Sequence, residues 1–359
     1  MKRFNKLFLA VMISSAFFVS CSNDDNNDET PQEPRGNYEG GLFIANEGKL
    51  DDANGNISYL SDDLKIENNV FSTINPEKTK NDIIQYIGFN GDAAYLIVNN
   101  SNKIEVVNRY TFKSIATITA NLKYPRFIAF ANGKGYVTNW GDPLVATDDY
   151  VAVLDLATNT ISATKIPVVE GPEKIIENDG KLYVAHKGGY SQGNSLTIIN
   201  SATNSVVTNF VIGDVPSSLI KDNGTLYVLC DGRPYYDGPE TAGKIVKLSL
   251  SSNTITSTIN FPDLTHPGFM DIYDSKLYYT VNNNVYVTNT NATTLPTTEI
   301  FTAEKVSSLY GFSVKNDKIY IADAVNYQDP GDIYIYSLKG AFNSEFSVGV
   351  VPNGFYFNN

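Results

Sequence analysis

The sequence predicts an all-β fold: a seven-bladed β-propeller, its ring closed by the C-terminal strand completing the first blade. Three observations carry this expectation. Residues 125–172 hold four runs rich in β-branched and aromatic residues, Phe127 to Phe130, Gly135 to Asn139, Tyr150 to Asp155 and Thr160 to Ile166, separated by Gly/Asn/Asp turns. The opening phrase returns at Pro172, Pro216 and Pro267, at intervals of 47, 44 and 51 residues, the period of a propeller blade. Finally, Pro352-Asn353-Gly354-Phe355-Tyr356-Phe357 repeats the first-strand phrase with nothing after it, while the unit opening at Gly41 lacks a first strand. Joining the two gives seven complete blades and leaves no sheet edge open.

Residues 1–20 read as a signal peptide. Lys2, Arg3 and Lys6 form a basic start, Leu7 to Val19 an apolar stretch too short to span a membrane, and Cys21 follows Ser20. The pattern resembles a bacterial lipoprotein signal, which implies lipidation of Cys21 and a membrane anchor. Residues 21–37, without an apolar side chain after Cys21, are expected to form a disordered acidic tether. The cluster Asp24, Asp25, Asp28 and Glu29 resembles the export signal of Bacteroidetes lipoproteins, implying an outer-membrane protein facing the cell exterior. Residues 38–359 are the propeller. Its sequential units start at Gly41, Ile83, Pro125, Pro172, Pro216, Pro267 and Leu309.

Formal charge is −12 over 359 residues, more negative once the basic leader is removed, which argues against nucleic acid as a partner. With Cys21 lipidated, Cys230 is the single remaining thiol; at the end of a strand it reads as buried and inert.

The loops between strands two and three share a face with the blade-to-blade connections. They are long in five blades (47–55, 140–149, 187–194, 231–243 and 324–331) and short in blades two and six (99–102 and 282–284). The residue three places after the strand-two aromatic follows the same division. It is Asn46, Asn139, His186, Cys230 and Asp323 in the long-loop blades, and Val98 and Val281 in the others. This correlation marks the long-loop face as a candidate binding surface; the alternative is that these polar groups cap loop backbones. The loops also carry the aromatic and arginine anchors of recognition surfaces: Trp140, Tyr190, Arg233, Tyr235, Tyr236 and Tyr327, with Glu47 and Asn326 beside them. Most of the 23 tyrosines are strand residues expected to pack between blades.

Catalytic patterns are absent from the sequence. His186 and His266 lie in different blades without a second ligand at metal-binding spacing, and no Gly-x-Ser-x-Gly elbow or phosphate loop is present. No metal or cofactor is therefore expected; Asp142, Asp148 and Asp149 match no calcium loop and read as solvated charge.

Tyr136-Val137-Thr138-Asn139, with the strand at Val151 to Leu156 and the turn at Ala157 to Asn159, resembles the YVTN/YncE-like seven-bladed propellers. Gly41-Leu42-Phe43-Ile44-Ala45-Asn46-Glu47-Gly48, followed by Asn54 to Leu60, resembles the Bacteroidetes surface lipoproteins that include the cobalamin-binding BtuG group. That resemblance implies a surface-exposed lipoprotein capturing a scarce nutrient, such as cobalamin, haem or a glycan, for hand-over to a TonB-dependent outer-membrane transporter. Two other readings stay open: a protein-protein or cell-surface interaction module without a small ligand, and a propeller enzyme of lactonase or quinone-dependent dehydrogenase type, for which Glu47 with His186 is the candidate acid/base pair.

Overall fold

The computed structural model describes residues 35–358 apart from 51, 79–82 and 143. The expected signal peptide, Cys21 and most of the expected tether lie outside the described residues. Of the tether's last residues, Arg35 already touches the propeller, its guanidinium carbon 3.8 Å from the Tyr110 ring centroid.

Seven antiparallel sheets, each with its strands in sequence order from the inside outward, form the ring. The first is the exception that closes it. Pro352–Phe357 is its innermost strand, paired antiparallel to Leu42–Asn46 in the register Leu42 to Phe357 and Ile44 to Phe355. Asn358 locks the seam, its amide donating to the Tyr38 carbonyl at 2.5 Å and the Arg109 carbonyl at 3.0 Å.

Adjacent side chains on a strand point to opposite faces, and here both faces are buried because each sheet is sandwiched between two others. Phe43 and Ala45 pack with Ile84, Ile87, Ala94 and Leu96 of blade two. Leu42 and Ile44, on the other face, pack with Tyr320, Ala322, Ile333 and Ile335 of blade seven. The strand-two tyrosines reach across these contacts. Tyr136 donates to the Ser201 carbonyl at 2.7 Å, Tyr183 to Asn253 Oδ1 at 2.7 Å and Tyr227 to the Thr290 carbonyl at 3.4 Å, each ending on the following blade. A tyrosine at this position supplies both buried apolar area and a bond between blades. Its targets include the turns between strands three and four, where Asn159, Asn204 and Asn253 take the left-handed backbone (φ 53°, 54° and 57°) that asparagine tolerates.

Two details depart from the simple repeat. The outer strand of blade three, expected to be continuous, is split into Thr160–Ile161 and Ile166–Pro167. Ser162 Oγ accepts from the Thr164 amide at 3.1 Å, a local bond that competes with the ladder. A five-residue helix, Val70–Ile74, joins blades one and two.

Candidate functional site: the channel mouth and the hollow over blade six

Every inner strand carries a β-bulge directly after its first residue. A bulge re-aims the extra side chain out of the ladder. The re-aimed residues, one per blade, are Gln85, Arg126, Glu173, Ser217, Gly268, Tyr310 and Asn353, and all seven line one cavity of about 200 Å³ at the channel mouth. Where the bulge frees a backbone amide, strand two answers it: Thr138 Oγ1 accepts from Phe127 N at 3.0 Å and Thr280 Oγ1 from Phe269 N at 3.1 Å.

The ring is charged. Arg126 makes a bidentate pair with Glu173, Nε to Oε2 at 2.9 Å and Nη2 to Oε1 at 2.8 Å, and its guanidinium lies 4.0 Å from the Trp140 ring centroid. Burial acts to raise the Glu173 carboxyl, but Arg126, with Lys187 and Lys174, holds it below its ordinary value. Glu47 accepts from Asn353 Nδ2 at 2.9 Å and the Tyr310 hydroxyl at 3.3 Å; burial wins there and raises its pKa. Lys174 is pulled down to about 8, chiefly by burial, with Lys187 and Arg126 adding to the fall and Glu173 opposing it. Burial pushes Asp231 up to about 7, against Lys187 and a very short hydrogen bond from Ser217 Oγ.

Beside the channel lies a larger hollow of about 780 Å³, over blade six. Its floor is the short loop Asn282, Asn283 and Asn284; its walls include Lys187 and Gln192 of blade four, Pro234 and Tyr236 of blade five, and Ser307 and Ser308 leading into blade seven. Hollow and channel share Lys187, Asp231, Gly268 and Phe269. Gly268 is the one position of the seven without a side chain, so the ring is lowest where the two spaces meet.

The expected site residues divide into two groups. Asn46, Asn139, His186 and Asp323 are buried and turned onto the backbone or neighbouring strands. Asp323 accepts from the amides of Ser307, Ser308 and Val325 at 2.7 to 2.8 Å. Asn139 Oδ1 accepts from Lys123 N at 3.0 Å, and Asn46 Nδ2 donates to Asn56 Oδ1 at 2.9 Å and Ser58 Oγ at 3.0 Å. His186 has both ring nitrogens engaged, Nε2 with Thr197 Oγ1 at 2.8 Å and Nδ1 with the Glu170 carbonyl at 3.3 Å, and burial pulls it down to about 4. The correlation of polarity with loop length thus has a physical reason: a long loop brings more backbone donors and acceptors to the strand ends, whereas Val98 and Val281 serve short ones. Cys230 is buried as expected, its thiol pushed up to about 12 by that burial.

The second group stands in the loops. Trp140 and Tyr190 meet edge to face at 5.9 Å, Tyr235 and Tyr236 at 5.6 Å in a 3₁₀ turn, and Tyr327 meets Tyr310 at 5.4 Å. Tyr190, Tyr235 and Tyr236 are largely exposed. Arg233 is tied to Asp214 at 3.4 Å and, through its amide, to Thr241 Oγ1 at 2.9 Å, fixing the blade-five loop. Asn326 closes its own turn, Oδ1 accepting from the Gln328 and Asp329 amides. Of the twelve, Tyr236 lines the hollow and Glu47 the channel. Asp142 and Asp148 form a loop bond as exposed groups, but Asp149, read as solvated, is buried under the Gly171 amide at 2.5 Å and raised to about 7 by that burial.

Fold and site together define a β-propeller with a charged channel mouth opening sideways into a surface hollow. The chain belongs to the family described as domain of unknown function DUF5074, which matches residues 40–348. No curated protein matches it. Among solved structures it is similar to a quinonprotein alcohol dehydrogenase-like protein from Bacteroides thetaiotaomicron (13% identity, 90% of this chain and 80% of that one, TM-score 0.62). It is also similar to BamB from Moraxella catarrhalis (12%, 88% and 84%, 0.53) and to AztD from Citrobacter koseri (12%, 88% and 97%, 0.53). At these identities the likeness concerns the fold.

Proposed function

We propose that this protein is a capture module: its long-loop face binds a polar small ligand in the hollow over blade six. The observation that carries the reading is the hollow itself, whose size lies within the usual range for ligand sites. Its floor of three asparagines and its Tyr236 wall combine amide donors and acceptors with an aromatic surface. That combination suits a broad nutrient bearing amides, of which cobalamin is the leading example. Capture at the outer membrane and delivery to a TonB-dependent transporter complete the proposal, with a lipid on Cys21 as anchor and the tether raising the local concentration of the cargo.

Calorimetric titration with cyanocobalamin tests it. One-to-one binding, weakened at least about tenfold by Tyr235→Ala with Tyr236→Ala, is the expected result. Absence of heat and of any thermal shift at saturating ligand overturns the cobalamin assignment.

A further inference from the structure

Of the three cations among the described residues that line the channel mouth, only Arg126 is in an ion pair. Lys174 and Lys187 both line the 200 Å³ cavity, and among the described residues neither ammonium has a carboxylate oxygen within ion-pair distance. The charges acting on Lys174 are Glu173, Lys187 and Arg126. Glu173 is already engaged on both oxygens by Arg126, so two cations remain over one satisfied pair. Asp231 faces Lys187 from blade five but takes the Ser217 hydroxyl, and Glu47 is held by Asn353 and Tyr310. The Lys174 ammonium instead lies 4.0 Å from the Phe127 ring centroid and 5.9 Å from that of Tyr86. This arrangement holds a cation in place without neutralising it. Burial is the chief cause of the depressed Lys174 pKa, with Lys187 and Arg126 adding to it and Glu173 opposing.

We propose that the channel mouth is an anion subsite, in which the ammonium groups of Lys174 and Lys187, flanked by Ser218, bind a phosphate or carboxylate group of a small ligand. The inference rests on the reading of this face as a binding surface, and is independent of cobalamin as the ligand. Lys187 lines both spaces and Gly268 leaves the passage between them open. The acidic group therefore sits in the channel and the body of the ligand in the hollow. Burying the Lys174 ammonium without an ion-pair partner is costly to the fold, and a bound anion reduces that cost.

The test uses the purified protein and two probes, inorganic phosphate and succinate, titrated calorimetrically at low ionic strength. Saturable binding of one probe is expected, the preferred one distinguishing a phosphate from a carboxylate. Lys174→Met and Lys187→Met are each expected to weaken it about tenfold or more, and Lys174→Arg to keep it within a few-fold. Lys174→Met is expected to melt no lower than the wild type, because it removes a buried ammonium that no carboxylate pairs, whereas a lysine with a purely structural part would lower Tm. Failure of both probes to bind, or equal binding by wild type and variants, overturns the proposal. Should Lys174→Met not fold, Lys187→Met and Lys174→Arg decide by the same criteria. Anion binding without cobalamin binding retains the subsite and removes that ligand; the reverse retains capture and removes the subsite.

Discussion

Blades two and six both have a short loop between strands two and three, yet one is sealed and the other open. In blade two, Asn99 Nδ2 donates to the Pro125 carbonyl of blade three at 3.0 Å, and Asn102 Oδ1 accepts from Tyr124 N at 2.6 Å. Its strand three opens with Lys103, buried and paired with Glu105 at 2.9 Å, while Glu105 also takes the Thr117 hydroxyl at 2.6 Å. In blade six the bulge residue is Gly268 instead of Gln85. The position equivalent to Lys103 is Asn284, whose amide oxygen takes the Thr302 hydroxyl at 2.7 Å at the edge of the hollow. Loop length alone therefore does not make a site. The side chain at the bulge and the first residue of strand three decide whether a short loop becomes a lid or a floor.

The largest effect is expected where blade two is sealed. Lys103→Met leaves Glu105 buried without its cation and should cost about 3–5 kcal/mol in urea denaturation. The matching Asn284→Ala, at the edge of the hollow, should stay within about 1 kcal/mol. Equal losses at the two positions would break the contrast.

Next comes the wall of the open side. Asp231 has a folded-state pKa of about 7 against 3.8 for the ordinary carboxyl, so the folded chain keeps a proton that the unfolded chain releases between those values. Stability from this group is full at low pH and falls as pH rises towards 7. For a fully buried carboxyl three units would amount to about 4 kcal/mol; solvent at the channel mouth reduces this to the order of 2 kcal/mol. Asp231→Asn should then raise Tm at about pH 8 and leave it unchanged near pH 4, a difference read by paired melting curves.

The smallest change in stability belongs to the most direct exchange, Gly268→Gln, which gives blade six the bulge residue of blade two. A Cβ there meets Thr280 Oγ1 at 3.3 Å, costing about 1 kcal/mol. The added amide should stand in the passage and weaken cyanocobalamin binding about tenfold by calorimetry. Unchanged affinity would show that Gly268 is not the gap that matters.

Much of this architecture is legible in the sequence. Proline-led strands at blade spacing, Asn and Gly turns and the stray Pro352–Phe357 phrase give the blade count and the closure, because local turn chemistry and strand pattern agree at every repeat. The site is less legible. Asn46, Asn139 and Asp323 have the polarity of a binding surface, but hydrogen bonding at strand ends requires the same residue types. The bulge ring does have a signal: the residue after each strand-one start, Arg126, Glu173 and Ser217 among them, varies in chemistry, while the residue before it and the one two places after it are apolar in all seven blades. No one-dimensional pattern announces the hollow, which depends on the heights of segments from blades four to seven.

Closure by the last strand also bears on how the molecule is made. The bond from Asn358 to Tyr38 spans 320 residues, so the contact that completes the ring is among the most remote in the chain, and contacts of that separation slow folding. Until Phe357 has emerged from the ribosome, the strand Leu42–Asn46 keeps one unpaired edge, a template for another chain. A nonsense codon or a protease cut that removes the final strand would leave six whole blades and a seventh open to self-association, a defect out of proportion to the few residues lost.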